Sequence, residues 1–169
     1  MRRIPHLLRH SLQVVFFVGL LMVMASCFFV VNTTGSFPLG IYMKTYGPVH
    51  WGDIVLVCPE DNEVNRYGRD HGLISYGVCL HRYGYLIKRV VALGGDEVNI
   101  SDRGVRVNGL SLRNSSRQQG IPSRVEGSVE LHEEALVMSE HPLSFDGRYF
   151  GPVSADAICT PLKPLITWE

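Results

Sequence analysis

From Leu12 to Val31 the chain carries no charged side chain. A run of about 20 apolar residues, coiled as a helix, measures about 30 Å and matches the hydrocarbon core of a bilayer. This feature limits the fold more than any other, because a helix of that length and apolarity must be kept from water, and a retained membrane span is the expected place for it. Ahead of it stand Arg2, Arg3 and Arg9 with no acid, and the next basic residue beyond it is Lys44. Positive charge before a span and none just after it places the leading segment in the cytoplasm. The expected organisation is therefore a cytoplasmic segment 1–11, a transmembrane helix 12–31 and an external domain 32–169. Two other readings compete. A cleaved signal peptide has a shorter apolar region, usually about 7–15 residues. A lipoprotein-like signal, Met24-Ala25-Ser26-Cys27, would make Cys27 a lipid carrier, but the apolar run continues past it through Phe28-Phe29-Val30-Val31.

The remainder reads as one domain of short strands. Seventeen Gly and nine Pro in 169 residues favour many turns over a helical bundle. Ile54–Val57 is an apolar, β-branched strand stopped by Pro59. Glu97–Ile100, Val105–Val107, Glu134–Ser139 and a last strand near Ala157–Cys159 follow, with a hairpin signal at Asn108-Gly109. Residues 60–84 are polar and rich in Gly and Tyr, an excursion from the sheet. Residues 113–128 are rich in Ser, Arg, Gln and Gly, and a mobile loop is expected there. Sixteen basic residues balance sixteen acidic ones with no basic patch, so nothing asks for a nucleic-acid partner.

Candidate chemistry is sparse. No zinc-protease helix, P-loop or dinucleotide fingerprint occurs, and the seven histidines show no metal spacing. Cys58, His71, Cys79 and His81 match no common structural zinc site. A serine at Gly35-Ser36-Phe37-Pro38-Leu39-Gly40 is flanked by residues that shape the backbone: Gly35 allows close approach and Pro38 sets φ. A serine becomes a nucleophile only beside a base. Lys88 sits among Leu86, Ile87, Val90 and Val91, where burial would lower its pKa. The plain alternatives are a Gly/Ser/Pro loop leaving a membrane helix, and a strand lysine on the solvent face.

Four blocks in order carry a resemblance. They are Gly35-Ser36-Phe37-Pro38-Leu39-Gly40-Ile41-Tyr42, then Gly52-Asp53-Ile54-Val55, then Lys88-Arg89-Val90-Val91-Ala92-Leu93-Gly94-Gly95-Asp96. The last runs from Ser144-Phe145-Asp146-Gly147-Arg148 to Val153. Behind an N-terminal span, they resemble the signal peptidase I family of serine-lysine proteases, in particular its conjugative-transfer, TraF-type branch. The family at large has Gly-Asp-Asn before the last serine, where this chain has Ser139-Glu140-His141. Proline follows the nucleophile by two residues here and by three in the housekeeping form. Both departures point to the conjugative branch.

The resemblance implies a mostly antiparallel β domain anchored in the bacterial inner membrane, with the catalytic part periplasmic. It implies Ser36 as nucleophile, Lys88 as general base, Thr34 in the oxyanion hole, Ser144 orienting the lysine, and Asp146 with Arg148 as a supporting ion pair. No metal or cofactor is implied. The implied substrate is a pro-pilin or another exported protein met at the inner membrane lipid, with a closed ring as the alternative to a linear product. The alternatives are a general signal peptidase or a catalytically silent anchored β domain of a secretion assembly. With this topology Cys58, Cys79 and Cys159 face an oxidising compartment. Cys58 and Cys79 bracket the excursion 60–84 at one end and are expected to be bonded, against the alternative of two free thiols. Cys159 is then expected as a buried strand thiol.

Overall fold

The computed structural model describes residues 6–168. Helix α1 (His6–Phe28) contains a 20-residue stretch, Arg9–Phe28, of mean hydropathy 2.2, none of it buried against the protein. It is long and apolar enough to cross a membrane. The helix stops three residues before the apolar run does. Phe29–Asn32 instead forms strand β1, paired antiparallel with β2 (Leu39–Lys44) from Phe29↔Met43 to Asn32↔Gly40. Val30 and Val31 are β-branched and lose rotamer freedom in a helix, and the open edge of β2 offers them a ladder.

The remaining elements are β3 (Ile54–Val57), α2 (Glu63–Asp70), β4 (Leu86–Ala92), β5 (Glu97–Ser101), β6 (Gly104–Val107), β7 (Leu110–Ser111), β8 (Gly127–Glu130), β9 (Glu134–Met138), α3 (Gly147–Phe150), β10 (Val153–Ser154) and β11 (Ile158–Trp168). A seven-stranded sheet runs β1-β2-β11-β3-β4-β9-β10, and a four-stranded sheet runs β7-β6-β5-β8. The named pairings are all antiparallel. The expected mostly β architecture is therefore what the chain adopts.

Strand β11 is much longer than the expected Ala157–Cys159. It fills the gap between β2 and β3, with register shifts at Ile158/Thr160 and Pro164/Ile166. Pro161 and Pro164 argue against a central strand from sequence, since proline cannot donate to a ladder. The two shifts let the strand keep its partners on either side. The same strand explains Gly40. A Cβ there would stand 2.3 Å from the Ile166 carbonyl oxygen, so only glycine lets β11 pass this close.

Three apolar clusters hold the domain. The largest joins β3, β4 and β9 to the two short helices through Val55, Val57, Val90, Val137, Phe145 and Tyr149. A second, including Val98, Ile100, Leu131 and Leu136, seats the four-stranded sheet on β4 and β9. The third, Phe37, Tyr42, Leu56, Ile87 and Leu162, underlies the loop that carries Ser36.

The excursion 60–84 does leave the sheet. It holds α2, whose first turn is capped by Asn62 accepting from the Asn65 N–H at 2.8 Å. A disulfide joins Cys58 to Cys79 at its base, which removes both sulfurs from any zinc set. Cys159 is a correction. It lies on β11 but is exposed, because the register shift at Ile158/Thr160 turns it off the sheet's regular alternation. The stretch 113–128, expected to be mobile, has no regular element before β8. It is fastened at Ser115, which accepts from the Val105 N–H, and at Arg117, which pairs with Asp102 and Glu126.

Candidate active site

Ser36 lies in the turn between β1 and β2, and Lys88 in the middle of β4. Strand alternation sends Arg89, not Lys88, to solvent, so the plain reading of a solvated strand lysine fails. Lys88 is 1% exposed. Its Nζ donates to Ser144 Oγ at 2.8 Å and to Ser36 Oγ at 3.3 Å. Burial pulls its pKa from 10.5 down to about 8. Asp146 pushes it back up and Arg148 adds to the lowering. A lysine with that pKa is neutral in a sizeable fraction of molecules just above pH 7, and a neutral amine accepts a proton.

Ser144, Asp146 and Arg148 enter the site together because they lead into α3. Asp146 is its N-cap and accepts from the Arg148 N–H. The helix packs flush on β9: a Cβ at Gly147 would stand 2.6 Å from Leu136 Cδ1 and 2.8 Å from the Val137 oxygen. Asp146 and Arg148 are fully buried, and their side chains join twice, Nε to Oδ1 at 2.8 Å and Nη2 to Oδ2 at 3.0 Å. A buried ion pair is tolerable only when its remaining donors are used. Arg148 donates further to the carbonyls of Asn114 at 2.8 Å, Ser139 at 2.8 Å and Pro142 at 3.1 Å.

The serine side is built differently. Asn32, at the end of β1, is buried and grips the turn. Its Nδ2 donates to the carbonyls of Thr34 at 3.1 Å, Phe37 at 2.9 Å and Pro38 at 3.0 Å. Its Oδ1 accepts from the Thr34 N–H at 3.1 Å and the Thr34 hydroxyl at 2.9 Å. Thr34 is therefore exposed and committed to Asn32; the structure does not bring its hydroxyl to Ser36 and Lys88. Gly35 has open space where a Cβ would be, so no close contact within the protein requires a glycine there. The Ser139 hydroxyl donates to the carbonyl of Ser36.

Ser36 opens on a groove of about 810 Å³, lined among others by Leu39, Trp51, Arg89, Leu112 and Trp168. Lys88 and Ser144 do not line it; they are buried, and Lys88 reaches Ser36 from within the protein. A hydroxyl in a groove beside a buried amine of lowered pKa is suited to acyl transfer.

The family model for signal peptidase, peptidase S26, matches residues 8–163. The chain belongs to this family. Among curated relatives, a plasmid transfer protein TraF of Escherichia coli is 42% identical over 146 residues, 82% of each chain. A conjugal transfer protein TraF of Agrobacterium tumefaciens (strain 15955) is 34% identical over 148 residues, again 82% of each. A signal peptidase I of known structure from Enterococcus faecalis V583 is 17% identical, with a TM-score of 0.41, over 70% of this chain and 100% of its own.

Within this peptidase S26 chain the structure gathers Ser36, Lys88, Ser144, Asp146 and Arg148 and leaves Thr34 aside. It adds Asn32 and Ser139, which sequence reading did not single out. Asn32 is the polar residue that closes the apolar run. Ser139 occupies the departure from Gly-Asp-Asn, and neither signal reveals a contact by itself.

Proposed function

We propose that this chain is a membrane-anchored serine endopeptidase that matures a pro-pilin for conjugative transfer, with Ser36 as nucleophile and Lys88 as general base. The observation that carries the reading is the 3.3 Å approach of Lys88 Nζ to Ser36 Oγ, at a lysine whose pKa burial has lowered to about 8. The TraF names of its relatives supply the conjugative setting. Helix α1 anchors the enzyme, Arg2, Arg3 and Arg9 hold the leading end in the cytoplasm, and the β domain works on the periplasmic side.

Neutral Lys88 takes the Ser36 proton while Ser36 Oγ attacks the scissile carbonyl carbon. The Ser36 N–H faces the developing oxyanion, and Thr34 joins it once its hydroxyl leaves Asn32 Oδ1. The carbon–nitrogen bond breaks, Lys88 returns the proton to the departing amine, and an ester remains on Ser36. Water, or the free N-terminal amine of the same substrate, then attacks that ester. Lys88 takes the attacker's proton and passes it back to Ser36 Oγ. Attack by the tethered amine closes a ring, favoured by its high effective concentration.

The test is co-expression with a pilin precursor from the same transfer system, followed by mass spectrometry. A shortened pilin with the parent enzyme and an uncut one with Ser36→Ala are expected. A ring is one water lighter than the linear peptide of the same residues. Processing that persists in Ser36→Ala overturns the assignment.

A further inference from the structure

Ser144 explains how the lysine is held, but the nucleophile also needs a fixed position. Its turn is half-exposed, and nothing crowds it from the Gly35 side. Ser139, the first residue after β9, makes four contacts. Its hydroxyl donates to the Ser36 carbonyl and accepts from the His141 N–H at 3.2 Å. Its N–H donates to Asp146 Oδ2 at 3.0 Å, and its carbonyl accepts from Arg148 Nη2 at 2.8 Å. The residue is only 7% exposed.

We infer that Ser139 is a positioning residue for the nucleophile, tying the Ser36 backbone to the buried Asp146–Arg148 pair, which follows Ser144, the partner of Lys88, by two residues in the chain. Both partners of the dyad are then referenced to one rigid base. Ser144, two residues before Asp146, locates the amine. Ser139, hydrogen-bonded to Asp146 and Arg148 through its backbone, locates the Ser36 carbonyl. Holding that carbonyl fixes the Ser36 Cα, and with it the separation of Oγ from Nζ. This gives the ion pair a purpose beyond supporting the fold, although it touches neither reacting atom. Asn32 holds the flanking carbonyls of the turn but none on Ser36 itself, so the Ser139 contact is not duplicated.

The inference rests on the Ser36–Lys88 reading, and its test separates the two. The full chain in detergent is treated with a serine-reactive β-lactam, and acylation of Ser36 is followed by intact mass. Failure of the parent to label, or equal labelling of Ser36→Ala, overturns the dyad reading and this inference with it. With the parent labelled at Ser36, Ser139→Ala is expected to lower the maximal acylation rate about tenfold, as slight misplacement of a reacting group does. Half-saturation and the pH midpoint stay unchanged, because the backbone contacts to Asp146 and Arg148 persist. Ser139→Cys, of similar shape but a weak donor, should match the alanine variant and carries the test if alanine fails to fold. Ser139→Thr should recover most of the rate. Parent-like rates in Ser139→Ala or Ser139→Cys, or equal slowing in Ser139→Thr, overturn the inference.

Discussion

The two halves of the site are held in opposite ways. On the lysine side, Lys88, Ser144, Asp146 and Arg148 are all essentially buried and bonded in two pairs, Lys88 with Ser144 and Asp146 with Arg148. On the serine side, Ser36 sits in a turn with exposed neighbours at Thr34, Gly35 and Pro38, held by hydrogen bonds from Asn32 and Ser139. The difference follows from what each group must do. A lysine loses its charge near neutral pH only if water is kept from it. A nucleophile must stand in the open, where a chain can reach it. The site therefore sets a buried lysine beside a half-exposed serine and joins the two sides by the Lys88–Ser36 hydrogen bond and by way of Ser139.

Breaking the dry side should cost most. Lys88→Arg keeps a permanent charge that accepts no proton, so processing of the pilin precursor should fall by roughly 10⁴-fold or more, by analogy with loss of a base in serine proteases. A variant that still matures its substrate would remove Lys88 from the mechanism. Ser144→Ala deprives the amine of its 2.8 Å partner while leaving the lysine buried. A loss of about 10²-fold, as for other positioned polar groups, is expected in the same assay. Complete loss at unchanged stability would mean that Ser144 takes a direct part.

The same burial fixes two pH effects. In the proposed mechanism activity requires neutral Lys88, so it should fall tenfold per unit below an apparent pKa of about 8 and level off above it. A rate that is flat from pH 6 to 9 would contradict a lysine base. Stability runs in the same direction for a separate reason. The folded pKa lies below the unfolded value, so between about 8 and 10.5 the unfolded chain binds more protons. Stability then rises with pH across that window and has lost this contribution below it. Lys88→Met, inactive but free of the buried charge, should be more stable than the parent at pH 7 by about 1–2 kcal/mol in denaturant unfolding. A less stable Lys88→Met would show that burial is not what shifts the lysine.

The smallest effect on chemistry should come from a change on neither side. Cys58→Ser opens a cross-link with a sequence separation of 21 at the base of the excursion. Loss of about 3 kcal/mol of stability is expected in the chain-entropy model. The maximal rate of the surviving folded enzyme should stay near that of the parent. A large drop in that rate would tie the excursion to the site.

Much of this arrangement was legible before folding because it is local. Strand Ile54–Val57 and the Asn108-Gly109 turn follow from side-chain type alone; both turn residues adopt positive φ, 49° and 78°, as a two-residue hairpin demands. The ordered blocks around Ser36, Lys88 and Ser144 pointed to the right neighbourhood. Strand β11 did not, because its prolines and its exposed face hide a pairing that only β2 and β3 supply. Thr34 was expected in the oxyanion hole from the family resemblance, yet the resemblance does not say that Asn32 takes its hydroxyl.

The sequence by itself determined that the chain has a membrane-length helix, a β domain behind it, and a serine and a lysine in family order. Those properties reside in side-chain type and spacing, which a linear chain displays. Whether the lysine is dry was left to the tertiary structure. Strand alternation allowed either Lys88 or Arg89 to face solvent, and the choice was made by the segment that leads into α3, packed on the neighbouring β9, which brings Ser144 to Lys88 and buries the Asp146–Arg148 pair nearby. Desolvation is a property of what packs around a group, and Ser144, which bonds the lysine here, lies 56 positions away in the chain.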